Sequence, residues 1–503
     1  PAAIIGPFPS AVKKFVIRFL TFLRENRIIH FEKKVINSET KKSGKLMESN
    51  LTRGPVLKTM LRFAVPMILG DLLQQCYNIA DTVIVGQFLG ADALAAVGSS
   101  FSLMTFLTSI LLGLAMGSGT VFSIRFGQQD TRGLKEGILA SFALLGAVTA
   151  ALSLAVFLGL DWIIWALRTP EGLVSLMREY LLVIFAGLAG IFLYNFFASL
   201  LRSLGNSVVP LVFLAVSAVL NIVLDLWFVA GLRRGVAGAA EATVISQYVS
   251  GIGIALYTWF KFPHLLRREP GVRLRWSRVK EITSFSTLTC LQQSIMNLGI
   301  LAVQGLVNSF GTAIMAAFAA AVKIDAFAYL PVQDFGNAFS IFVAQNYGAR
   351  EPKRIKRAIG GAAAASALFS LAVSLVVFVF ARPLMTLFID GSETAVIAEG
   401  VRYLRIEGAF YCLIGLLFLL YGLYRALAKP GMSVVLTVVS LGTRVALAYG
   451  LSAIPAIGVT GIWWSVPIGW FLADALGVGY YLLRRKGLLP QAESRESGPA
   501  PRG

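Results

Sequence analysis

Gln74, Tyr77, Asn78 and Asp81 recur at i, i+3, i+4 and i+7, so in a helix they share one face, with Asp71 one turn earlier. The span around them, from about Met60 to Phe88, is otherwise almost wholly apolar or uncharged. Ser217, Asn221 and Asp225 recur at intervals of four and define a second face, and Thr243, with Ser246 and Gln247 about a turn further on, supplies a third. Two carboxylates, an amide oxygen and a hydroxyl make a hard-oxygen set. That chemistry suits Na+, or H+ where burial away from water disfavours a bare charge. An acid at bilayer depth costs about 2.5 to 3.5 kcal/mol on insertion scales, so its presence points to function, here the movement of ions. For Asp71 and Asp225 a second reading stands, an acid that only caps a helix end near the headgroups.

The lipid around these stripes is inferred from composition. The 503 residues are 56% hydrophobic and only 14% charged, with a mean hydropathy of +0.74, which leaves too little polar surface to cover a water-soluble globule. Apolar segments long enough to cross a bilayer, about 20 residues each, recur at roughly 60–88, 93–124, 134–160, 174–201, 207–231, 236–261, 281–309, 312–345, 358–381, 395–424, 432–453 and 459–483. The expectation is an all-α polytopic membrane protein with twelve transmembrane helices.

Lys and Arg collect before segment 1, between segments 2 and 3, 6 and 7, and 8 and 9, and after segment 12. Short basic connections stay on the cytoplasmic side, so both termini are expected there, in a multi-pass cytoplasmic membrane protein. The net charge of +19 then reads as topology and contact with anionic lipid, not as nucleic-acid binding, because no binding module accompanies it. Cys76, Cys290 and Cys412 fall in three different segments without ligand-like or disulfide-framework spacing. The only histidines, His30 and His264, lie outside the apolar core, and neither a HExxH zinc motif nor a GxxxxGK phosphate loop is present. Enzymatic chemistry and direct nucleotide-driven pumping therefore find no support, and no cofactor is expected beyond a coupling ion. Residues 1–50 form a basic extension whose Lys13 to Ile29 stretch alternates cationic and apolar residues. It reads either as a surface-lying amphipathic segment or as sequence upstream of a native start at Met47. Residues 487–503 read as a disordered tail.

The two halves repeat one another. Gly90-Ala-Asp-Ala-Leu-Ala-Ala-Val-Gly98 parallels Gly311-Thr-Ala-Ile-Met-Ala-Ala-Phe-Ala319, and Gly127 parallels Gly348 at the same offset. Tyr180-Leu181 answers Tyr403-Leu404, Arg202-Ser-Leu204 answers Arg425-Ala-Leu427, and Gly235-Val-Ala-Gly238 answers Gly458-Val-Thr-Gly461. The organisation expected is an N-lobe of six helices (51–261), a cytoplasmic linker (262–278) and a C-lobe of six helices (279–486). Six being even, both lobes enter from the same face as parallel repeats, an arrangement used by alternating-access transporters.

Ala64-Val-Pro-Met67, Tyr77-Asn-Ile-Ala-Asp-Thr82, Leu94-Ala-Ala-Val-Gly98, Arg202-Ser-Leu-Gly-Asn206, Leu220-Asn-Ile-Val-Leu-Asp225 and Gly235-Val-Ala-Gly-Ala-Ala240 together resemble the multidrug and toxic compound extrusion (MATE) family, over residues 51–486. Within it the chain is most similar to the DNA-damage-inducible branch, and Arg444 stands where the first half has Asn221. The resemblance implies two pseudo-symmetric lobes around a central cavity, a cation site in the N-lobe formed by Asp81, Asn221, Asp225 and Thr243, and a bend in helix 1 near Pro66. It also implies that a C-lobe cation site is absent, because residues 287–297 carry Gln292, Gln293 and Asn297 but no acid.

The function expected is H+- or Na+-coupled antiport of small organic cations by a monomer. A lipid-linked precursor flippase of the same superfamily is the alternative. Candidates to line the cavity are Gln74, Tyr77, Asn78, Tyr194, Asn195, Lys323, Asp334 and Glu407. Phe196, beside Tyr194 and Asn195, reads equally as packing, and Lys323 reads equally as a local partner of Asp325.

Overall fold

A computed structural model describes residues 50–166, 171–266 and 273–491. The basic extension 1–49, the tail from 492 and the middle of the linker, on which expectations above fall, lie outside the described residues. Among the described residues all regular structure is helical. The helices are α1 (Val56–Leu89), α2 (Ala91–Gly127), α3 (Thr131–Leu158), α4 in two segments (Val174–Ala186 and Leu188–Ser203), α5 (Val208–Asp225), α6 (Gly235–Lys261), α7 (Trp276–Asn308), α8 (Thr312–Gly348), α9 (Pro352–Met385), α10 in two segments (Thr394–Gly408 and Tyr411–Ala426), α11 (Pro430–Ser452) and α12 (Val459–Leu488). α12 thus extends two residues, Gly487 and Leu488, into the stretch expected to be tail.

Local chemistry sets several of these boundaries. The Asp130 side chain accepts from the Gly133 N–H and caps α3, while Pro352 and Pro430 occupy the first positions of α9 and α11, where no N–H is needed. Left-handed residues recur in matched pairs: Gly90 and Gly311, Gln129 and Arg350, Gly205 and Ala428, Gly235 and Gly458. The backbone therefore repeats even where the side chains differ, since a tight turn at Gln129 or Arg350 needs positive φ without a glycine to supply it.

Among the described residues nine helices are long and apolar enough to cross a bilayer, or ten when the two segments of α10, bent by 51°, are taken as one span. α1, of 34 residues, and α6, of 27, have the length but not the apolarity. In α1 the deficit is the stripe from Asp71 to Asp81. The bundle is turned inside out relative to a soluble protein: Leu375 is 66% exposed and Leu483 86%, on surfaces suited to lipid.

Helices α1–α6 and α7–α12 form the two lobes. α2 runs along α7, and α8 packs on both α1 and α2. Glycines permit this approach: a Cβ on Gly113 would sit 2.6 Å from the Cys290 Cα, and one on Gly117 2.6 Å from the Ser286 Cα. At the basic ends the contact is self-complementary. A Cβ on Gly127 would meet the Gln345 carbonyl oxygen at 2.0 Å, and a Cβ on Gly348 the Ile124 carbonyl oxygen at 2.1 Å. Gln345 also accepts from the Leu51 N–H at 3.1 Å and donates to the Ser203 carbonyl at 2.7 Å. Around this seam Arg125 of α2 pairs with Glu281 of α7 at 2.6 Å, and the fully buried Glu136 of α3 meets Arg275 and Arg278 at 3.2 and 3.5 Å. Arg354 donates to the carbonyls of Leu51 and Gly54. These contacts join the lobes in the basic half of the bundle.

Adding a side chain to this seam must shift backbone, because the opposing atoms are carbonyls and not flexible side-chain ends. Gly127→Val is expected to cost about 2 kcal/mol through overpacking, read as a lowered melting temperature in detergent. Gly305→Val, where a Cβ meets nothing within 4 Å, is the control. Equal melting of the two variants would contradict the seam.

Candidate cation site

α1 and α5 pack side by side in the N-lobe, which brings Asp81 to Asp225, the last residue of α5. Asp225 is 0% exposed, so it is not a solvated cap. The chain does not simply end there: a π-helical turn, Leu226–Gly231, follows directly, a local widening often found at functional sites. The two carboxyls stand within side-chain hydrogen-bonding reach of each other. An ionised carboxylate has no hydrogen to give, and neither Asp81 Oδ1 nor either Asp225 oxygen finds a donor. A proton or a metal cation is what reconciles two acids in this geometry.

Asn221, one turn before Asp225, donates from Nδ2 to the Thr243 hydroxyl at 3.2 Å, which leaves its buried Oδ1 without a donor. Thr243 orients the amide so that its oxygen is free, and Ser217, a turn earlier on the same face, ties α5 to α6 by donating to the Ser246 carbonyl at 2.9 Å. The four residues named from the sequence thus fall into two buried contacts, Asp81 with Asp225 and Asn221 with Thr243. Tyr77 interacts with Asp81 and bonds to Gln74. Tyr180, from the first segment of α4, lies in electrostatic reach of Asp81, Asp225 and Tyr77. In the sequence Tyr180 registered only as a repeat marker, because nothing local ties it to acids on α1 and α5. Asn78 is partly buried on the same stripe.

Pro66, where a bend is expected, lies inside α1. α1 runs unbroken through it, and the Ser207 hydroxyl donates to the Phe63 carbonyl at 2.8 Å, supporting the turn that Pro66 weakens.

Between the lobes lies a second group. Asp71 is no helix cap: it faces the buried Asp334 of α8 within side-chain hydrogen-bonding reach, beside Arg202 and Asn337. Arg425, the repeat counterpart of Arg202, donates to Asn337 at 3.2 Å. Tyr194 interacts electrostatically with Arg202 and Asp71 and donates its hydroxyl to the Pro210 carbonyl.

Other cavity candidates fall elsewhere. Asn195 donates to the Ile191 carbonyl of its own helix, and Phe196 packs edge-on against Phe142 and Phe197, the packing reading. Lys323 is exposed and does not pair with Asp325, which instead accepts from the Tyr411 hydroxyl. Glu407 is 1% exposed and interacts with Asp325, Tyr403 and Arg444, all groups of its own lobe, so it adds to a C-lobe cluster and not to the gap. α8 and α10 supply that acid pair, which inspection of α7 alone missed.

The family model MatE matches the chain twice, over residues 66–227 and 289–450, once per lobe. The chain is 31% identical over 435 residues to the probable multidrug resistance protein YpnP of Bacillus subtilis, covering 86% of this chain and 96% of that protein. It is 24% identical over 450 residues to an FAD transporter of Shewanella oneidensis, with coverage of 86% and 96%. Among solved structures it is similar to a MOP superfamily transporter from Pyrococcus furiosus, with a TM-score of 0.82 and 24% identity over 89% of this chain and 99% of that one. Two matched six-helix lobes, each recognised separately and joined as described, place the chain in the MatE family of multidrug and toxic compound extrusion membrane transporters.

Proposed function

We propose that the protein exports organic cations by cation-coupled antiport, with Asp81, Asn221, Asp225 and Thr243 as the coupling-ion site. The observation that carries this reading is the pair of N-lobe acids of which Asp81 Oδ1 and both Asp225 oxygens have no donor among the described residues. Among the described residues no group of three or more acids, cysteines or histidines gathers as a metal site. The coupling ion is therefore a proton or a weakly held monovalent cation, bound by two carboxyls and the neutral Asn221 oxygen.

Substrate is received in the gap between the lobes, where Asp71 and Asp334 offer negative charge to a cation. Arg202 and Arg425 flank the same gap. A relative named as a transporter of FAD indicates that cargo varies among similar chains, and here the paired acids favour cations. The flippase alternative has no comparable support, since YpnP and its like are named for multidrug resistance.

Alternating access follows from the lobe arrangement. Contacts joining the lobes in their basic half support a reading in which that half acts as one gate of the cycle. Uptake of the ion at Asp81 and Asp225 removes their mutual repulsion, lets α1 repack against α5, and lowers affinity for a cationic substrate. Coupling needs only that ion and substrate favour opposite states. One charge crossing 100 mV supplies about 2.3 kcal/mol, enough for a gradient of roughly fifty-fold.

Efflux from everted vesicles under a pure pH gradient and then a pure Na+ gradient tests the ion site. Asp81→Asn and Asp225→Asn are each expected to abolish gradient-driven export while the folded protein persists, and undiminished export by both would refute the assignment. Lobe motion has its own test. The Ser118 and Ser286 hydroxyl oxygens lie 2.9 Å apart across the lobe interface. Ser118→Cys with Ser286→Cys, in a background with Cys76, Cys290 and Cys412 changed to Ser, is expected to form a disulfide that stops export until it is reduced. Export that continues with the bond intact would exclude lobe separation at this point.

A further inference from the structure

Asp474 stands alone in α12. It belongs to no stripe, has no acidic neighbour in sequence and no part in the site described above, yet it is 3% exposed and both its carboxylate oxygens lack a hydrogen-bond partner. The helix around it is held tightly. One turn before it, a Cβ on Gly469 would meet the Ser440 carbonyl oxygen of α11 at 2.4 Å, and one turn after it, a Cβ on Gly477 would meet Leu420 of α10 at 2.7 Å. The Tyr424 hydroxyl donates to the Gly477 carbonyl. The acid is thus enclosed in a seam among α10, α11 and α12.

Hydroxyls face it there. Tyr421 of α10 interacts with Asp474 electrostatically and lies within side-chain hydrogen-bonding reach of Thr437 and Ser440 of α11. The Thr437 hydroxyl hydrogen is given to the Ser433 carbonyl at 2.9 Å.

No cation neutralises the carboxyl. On α10, Arg425 donates to Asn337, and Glu399 accepts from Trp463 of α12. On α11, Arg444 acts on Asp325 and Glu407. α7 brings the uncharged Gln292 and Gln293 to the C-lobe interior. A carboxylate sealed from water with no donor and no counter-charge is strongly unfavourable, and one acid among hydroxyls is a poor match for a metal ion, which needs several anionic or carbonyl oxygens.

We propose that Asp474 is a proton-carrying site in the C-lobe, separate from the N-lobe acids. In this conformation its carboxyl holds a proton. When α12 shifts against α10 and α11 the O–H bond of the carboxyl breaks, the proton leaves to water admitted by that shift, and the Tyr421 hydroxyl turns to donate to the carboxylate formed. No electron transfer or other reactant is involved.

Infrared difference spectroscopy of the whole protein in lipid vesicles, titrated with pH in H2O and D2O, reads the protonated-carboxyl C=O stretch without any transport. Asp474→Asn is expected to delete one component of that band, Asp81→Asn and Asp225→Asn to leave it, and Tyr421→Phe to shift its frequency. Tyr421→Phe keeps the test valid if Asp474→Asn does not fold. Parent and Asp474→Asn spectra that superimpose across the titration would overturn the proposal, as would a change driven by Na+ at fixed pH that Asp474→Asn removes. Because the readout needs no export, its failure is distinguishable from failure of the antiport reading.

Discussion

Two carboxyl groups turned toward each other with nothing among the described residues to donate between them are the constraint around which the N-lobe is built. In water such a pair would drift apart. Here α1 is fixed against α5 by side-by-side packing, and the π turn after Asp225 holds the end of α5 inside the lobe. Low local dielectric magnifies the repulsion between the acids, so occupancy by one small positive charge carries a large energetic effect. Neighbouring groups surround this without neutralising it: Thr243 takes the Asn221 amide N–H and leaves its oxygen without a donor, and Tyr77 and Tyr180 lie in electrostatic reach of the acids.

The C-lobe uses the same backbone for a different electrostatic arrangement. Its counterpart of Asn221 is Arg444, and the acids near that guanidinium, Asp325 and Glu407, come from α8 and α10, not from the counterparts of α1 and α5. A fixed cation in place of an amide gives this lobe an internal counter-charge, whereas no hydrogen-bond donor among the described residues meets the buried Asp225 carboxyl of the N-lobe. Between them, Arg202 and Arg425 repeat faithfully while Asp71 and Asp334 do not: the residue 221 positions after Asp71 is Gln292, and the one 221 positions before Asp334 is Gly113. Symmetry thus governs the frame and the arginines, and asymmetry the acids.

Much of this was legible in the chain because helical periodicity is local. Gln74 to Asp81 and Ser217 to Asp225 lie within single helices, so their shared faces follow from spacing alone, and the paired left-handed residues such as Gly90 and Gly311 mark the repeat directly. What stayed hidden depends on contacts between helices. Tyr180 comes into electrostatic reach of the acids because the first segment of α4 packs on α6 and α2, Asp71 finds Asp334 only across the lobes, and Glu407 meets Asp325 only where α10 lies against α8. The pairing expected between Lys323 and Asp325 failed for the same reason, since Tyr411, eighty-six positions away, takes the carboxylate.

The glycine seam at Gly127 and Gly348 has a kinetic consequence. Each glycine abuts main-chain carbonyl, so the glycine contacts themselves hold no rotamers, and the side chain ordered at the seam is Gln345, which bonds Leu51 and Ser203. Docking there is a rigid-body event with almost no conformational search, and the partner helix of either half offers the other the same template. A barrier to reclosure must then come from the surrounding ion pairs and from the lipid displaced, not from the backbone surfaces that touch.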